Sequence, residues 1–106
     1  MYEIRRSARE VNGVKIETWI AELVNANIIE IEVGTTGFCG GDTGHGGRTY
    51  LRIKDLASTD IRASVIEDKY SDMEEVSLEL GGDTELYTFI EALEFALKVL
   101  KEKSMK

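Results

Sequence analysis

The hydrophobic period of this chain changes once, at Gly81-Gly82-Asp83, and that change constrains the fold more than any other feature of its 106 residues. Downstream, Leu86, Phe89, Ile90, Leu93, Leu97 and Leu100 recur at spacings of three and four, the pattern of a helix with one apolar stripe. Asp83 is placed to cap the orphan amides of the first turn, and Glu85 follows inside it. Lys98, Lys101 and Lys103 lie near the other end, so charge matches the helix dipole at both termini. These signals predict an α-helix over residues 84–102.

Upstream the period is two. The runs 2–10 and 14–23 flank Asn12-Gly13, the strongest short hairpin signal a sequence can carry. Further alternating runs cover 27–33, 48–54, 59–67 and 75–80. The reading is α+β: an antiparallel sheet of five or six strands with one long C-terminal helix packed on it, in a single domain over 1–106. If strands 48–54 and 59–67 pair through the short connection at 55–58, Arg62 joins Arg48, Tyr50 and Arg52 on one surface. The helix covers one face of the sheet. The other is expected to carry Trp19, Tyr50 and Ile28 among its charges, too apolar to stay bare, which predicts a homodimer or higher homo-oligomer.

Charge narrows the partners. The formal net charge is -7 and the pI about 4.7, the wrong sign for a protein that displaces counterions from duplex nucleic acid. The arginines are nonetheless grouped, as Arg5, Arg6 and Arg9 and again as Arg48, Arg52 and Arg62, an arrangement suited to a small anion. Apolar runs are broken by charges every few residues, so no membrane span is expected. A single cysteine and a start without an apolar leader point to the reducing cytoplasm.

The unusual stretch is TTGFCGGDTGHGGRTY, residues 35–50, with six glycines and the only cysteine and histidine of the chain. Gly47-Arg48-Thr49 imitates the end of a nucleotide P-loop, but the required earlier glycine is Asp42, and a strand rather than a helix follows. Gly41-Asp42-Thr43-Gly44 looks like a serine-protease nucleophile neighbourhood without the second histidine or the length that chemistry needs. Cys39, Asp42 and His45 are too few for a dedicated metal site, and no cofactor is implied. His45 with Asp42 as acid and base would make a small hydrolase or lyase. A third alternative is an interaction module docking protein through the sheet face with Trp19 and Tyr50.

Phosphate binding fits the stretch better. Because the glycines among them carry no Cβ, the amides of Gly40, Gly41, Asp42, Thr43, Gly44, His45, Gly46 and Gly47 can turn inward as an anion nest. Arg48, Arg52 and Arg62 supply guanidinium forks, and Tyr50 or Phe38 offers a base a stacking surface. The expected ligand is a small phosphorylated, nucleotide-type molecule.

The runs Val33-Gly34-Thr35-Thr36-Gly37, Gly40-Gly41-Asp42-Thr43-Gly44-His45-Gly46-Gly47-Arg48-Thr49 and Thr59-Asp60-Ile61-Arg62 resemble the phage sponge proteins that counter the Thoeris defence system. The resemblance covers about residues 30–62. It implies a non-enzymatic oligomer that sequesters cyclic ADP-ribose-type signals, or cyclic oligonucleotides, without cleaving them, and so blunts bacterial anti-phage immunity.

Overall fold

The computed structural model describes residues 3–38, 46–57, 61–67 and 74–104. Among these described residues six strands form: β1 (Ile4–Val11), β2 (Val14–Val24), β3 (Ile28–Thr35), β4 (Thr49–Ala57), β5 (Ile61–Glu67) and β6 (Glu74–Leu80), followed by the helix α1 (Asp83–Ser104). They do not make one sheet. β1 to β4 form an antiparallel meander in chain order, while β5 and β6 pair only with each other. The expected pairing of β4 with β5 is therefore absent, and Arg62 lies opposite Glu79 rather than beside Arg52. Period two fixes which residues share a face, but it carries no information about which neighbour a strand takes.

The first turn is as its sequence dictates. Asn12 and Gly13 both have positive φ, 47° and 81°, as a two-residue hairpin turn requires, and Val11 faces Val14 across it. The turn between β2 and β3 has a different task. Asn27, fully buried, accepts a hydrogen bond from the Thr88 hydroxyl at 2.9 Å, and the Asn25 amide donates to Thr88 at 3.1 Å and to Glu91 at 2.7 Å. This polar clasp fixes where the first half of α1 lies on the sheet.

Helix and sheet meet through Ala21, Leu23, Ile31 and Val33 on one side and Ala92, Phe95, Ala96 and Val99 on the other. Trp19, Ile53 and Leu100 pack at the margin. Each large side chain buried here contributes about 1.5–3 kcal/mol. The contacting stripe is not the one the leucines suggest. Leu86, Ile90, Leu93 and Leu97 remain 44–56% exposed, whereas Ala92 and Ala96 lie against the strands. Small residues let the helix axis approach a sheet already crowded by Ile29, Ile31 and Val33. The cap also shifts by one residue. The Gly82 carbonyl accepts the Leu86 amide at 3.2 Å, so Gly82, at φ 111°, holds the position expected of Asp83. The Glu85 carboxylate folds back over it, where a Cβ would collide.

The helix-free face closes on itself. The meander curls until β1 approaches β4, and Ile16, Thr18 and Ile20 become buried with no covering layer among the described residues. Trp19 is on the helix side and Tyr50 on the curled side, as the Trp19–Val33 and Gly34–Tyr50 pairings require, so no single face of the sheet carries both.

Candidate functional site

Two polar constellations flank the glycine-rich segment, one on each face of the sheet. Beneath the curl, Glu30 and Glu32 of β3 stand among Arg5, Arg9 and Arg52. Glu32 is wholly buried and saturated. It accepts two bonds from Arg9, at 2.9 and 2.7 Å, one from Arg52 at 3.0 Å and one from the Thr18 hydroxyl at 2.7 Å. Glu30 accepts from Arg52 at 2.7 Å and from Arg5 at 3.0 Å. The Arg9 guanidinium also lies 5.3 Å from the centroid of the Tyr50 ring.

The electrostatic consequences follow from those bonds. Donation by Arg9, reinforced by Thr18 and Arg52, holds the Glu32 carboxyl at about 2, although burial acts in the opposite direction. Arg52 similarly lowers Glu30, and the two carboxylates raise Arg9 and Arg52 above the ordinary guanidinium value. Arg52, expected to hold a phosphate, is thus engaged by two carboxylates and ties β4 to β3. Tyr50 sits in the same network as the aromatic floor for Arg9. The sequence signal for this role was present: Glu30 and Glu32 alternate with apolar residues in β3, on the parity facing Arg52.

On the helix side the neck of the loop is built from glycines and threonines. The Thr36 amide donates to the Arg48 carbonyl at 3.0 Å, the Arg48 amide donates to the Thr36 hydroxyl at 2.9 Å, and the Thr35 and Thr49 hydroxyls are 2.9 Å apart. Gly37 has φ 82°, and its backbone lies so near the helix end that a Cβ would sit 3.0 Å from the Lys103 carbonyl oxygen. A Cβ on Gly47 would be 2.5 Å from the carbonyl oxygen of Gly37. Gly37 thus closes the neck on the last turn of α1 and Gly47 closes it on Gly37, and packing alone accounts for both. The Arg48 guanidinium donates to the Gly47 carbonyl at 3.1 Å and reaches that of Gly46 at 3.5 Å, steadying one stem. Phe38, at the other stem, is 93% exposed. Gly40, Gly41, Asp42, Thr43, Gly44 and His45, with Cys39, lie outside the described residues.

Beside this neck is an open cleft of about 330 Å³. Its floor is the outward row of β2, Lys15, Glu17 and Trp19; Thr35 and Thr36 form one wall and Lys103 the other. The Lys103 ammonium stands 4.4 Å above the Trp19 ring. A smaller hollow of about 130 Å³ continues past Trp19 between β1 and the helix, adding Ile4, Lys98 and Glu102. Glu17 is answered by Arg6 at 2.8 Å, which leaves Lys15 and Lys103 to set the local sign. Sequence reasoning missed Trp19, Lys15 and Lys103 here. Nothing in local pattern shows that residues 15, 19 and 103 meet where residue 36 leaves the sheet. Of the arginines expected at one site, Arg48 is at the neck, Arg52 under the curl and Arg62 on the separate hairpin, beside Leu80 and Gly81.

No protein-family model, curated protein or solved structure matches this chain, and the chemistry of the cleft and the neck stands on its own residues.

Proposed function

We propose that the protein binds a small phosphorylated, nucleotide-type ligand in the cleft lined by Trp19, Thr35, Thr36 and Lys103, and holds it without cleaving it. The observation that carries this reading is the convergence at the loop neck of an indole, two ammonium groups and two threonine hydroxyls. The indole offers a base or ribose a flat apolar surface, the lysines meet phosphate charge, and the loop that starts at this rim is rich in amides without Cβ obstruction. Among the described residues, the groups with the most displaced titration, Glu32 and Arg9, are locked in ion pairs on the opposite face, not poised in the cleft for proton transfer. Sequestration of cyclic ADP-ribose-type signals, which the sequence resemblance implies, is the use of such a site to test first.

Trp19 is the only tryptophan, so its emission reports the cleft directly. Titration with cyclic ADP-ribose isomers and cyclic di- and trinucleotides should quench it and release heat in the calorimeter. Lys15→Ala combined with Lys103→Ala is expected to weaken binding about tenfold or more, the loss of charge-assisted contacts worth ~1.5–3 kcal/mol. Ligand recovered intact after heat denaturation would distinguish holding from turnover. Neither quenching nor heat with any of these compounds would remove the proposal.

A further inference from the structure

Among the described residues, two apolar surfaces of this chain have no cover. The first is the outer stripe of α1, where Leu86, Ile90, Leu93 and Leu97 follow one another at intervals of four, three and four, with Tyr87 beside them at 60% exposure. A stripe at these intervals on a solvated helix face is what a packed helix presents to a second layer. The second is the β5–β6 hairpin. Its register places Ile61 opposite Leu80, Ala63 opposite Leu78 and Val65 opposite Val76, three successive apolar pairs on one face before Glu67 meets Glu74 at the hairpin's closed end. Arg62 and Glu79, then Ser64 and Ser77, make the other face polar. Val65 and Val76 are each 71% exposed. Among the described residues the hairpin makes at most marginal contact with the four-stranded sheet or the helix. A two-stranded hairpin standing alone is marginal in water, and an amphipathic one signals a layer to lie on.

We propose that a second copy of this chain supplies that layer: the protein is a two-fold dimer in which each hairpin lies, apolar face down, on the outer stripe of the other copy's α1. The helix then has a sheet on both sides, its own meander on the alanine stripe and the partner's hairpin on the leucine stripe. Shape supports the exchange. The radius of gyration is 15.4 Å, whereas a compact chain of this length measures about 13 Å. The excess is what an arm projecting from the body produces. Area supports it too. From their fractional exposures, the five helix side chains with Val65, Val76 and Leu78 offer on the order of 800 Å² per copy, the size of a standard protein interface. Both surfaces belong to one chain in equal number, so a single symmetric contact covers both, as two-fold interfaces require. The assembly uses neither Tyr50 nor the curled face, and it does not depend on the ligand proposed above.

Light scattering coupled to gel filtration, at tens of micromolar full-length protein, tests this. The expected mass is twice the 11.9 kDa of the chain. Leu93→Glu alone and Val65→Glu alone should each yield monomer, with helical circular dichroism retained because neither residue belongs to the buried core. Mixing the two variants should restore dimer in part, because one of the two reciprocal contacts is then formed by native surfaces. A monomeric wild type overturns the proposal. So does a dimer that survives Val65→Glu, which would leave a contact between helices only, and so does failure of the mixture to associate.

Discussion

Glu32→Gln is expected to destabilise the fold by about 3 kcal/mol, the cost of removing one member of a buried ion-pair cluster. Glutamine keeps the size of the side chain and one accepting oxygen, but Arg9 and Arg52 then converge on a group without charge. Arg9 is partly solvated and regains water, so the main penalty falls on Arg52 and on the Thr18 hydroxyl beneath it. The same residue governs acid sensitivity. In the unfolded chain the Glu32 carboxyl titrates near the ordinary 4.5; in the fold it is held at about 2. A carboxyl lowered by folding contributes its full stabilisation above the unfolded value, and the contribution disappears as pH falls through the folded one. The wild type should therefore lose stability between about pH 4.5 and pH 2, with Glu30 adding in the same direction. Urea midpoints across that range would show a steep decline for wild type and a shallower one for Glu32→Gln. Parallel profiles would mean that Glu32 is not the group responsible.

Gly34→Ala is expected to be at least as damaging, about 3 kcal/mol or more, and to lower Tm by roughly 15 °C. Here β3 passes so close to β2 that a Cβ would overlap the Glu17 carbonyl oxygen and stand 2.8 Å from Cγ2 of Thr18. The opposing atoms are mostly backbone in the middle of the curl, and they cannot give way without opening the sheet over Glu32. Gly13 is the control. A Cβ there meets nothing within 4 Å, so Gly13→Ala costs only the left-handed conformation, about 1 kcal/mol. Thermal melts of the two variants should separate them clearly. Equal losses would show that the approach of β3 to β2 is not tight.

The contrast between those glycines shows how far the sequence could be read. Asn12-Gly13 is a local instruction, obeyed because its backbone angles depend only on the two residues themselves. Gly34 looks like any other glycine beside a threonine pair, and its role exists only because Glu17 and Thr18 are brought over it. The loop divides in the same way. Its density in glycine was visible at once, but the reason for Gly37 became visible only with the last turn of α1 beneath it, and that for Gly47 only with Gly37 against it. The arginines were legible as a group and misleading as a site. Arg52 matches the parity of Tyr50 in β4, and that same parity aims it at Glu30 and Glu32 of the next strand.

The α+β class, a run of five or six short strands, the first hairpin and the C-terminal helix with its approximate limits could be read from the residues in order, because each follows from a period or from a turn residue's own angles. Tertiary structure decided the rest. It divided six strands into four and two, placed Trp19 on the helix side, and turned α1 so that Ala92, Phe95, Ala96 and Val99, rather than Leu86, Leu93 and Leu97, meet the strands. The reason is steric. Periodicity counts apolar residues around a helix, and α1 has two apolar stripes; which of them faces inward depends on how near the helix must come to β2 and β3, a distance set by side chains distant in sequence.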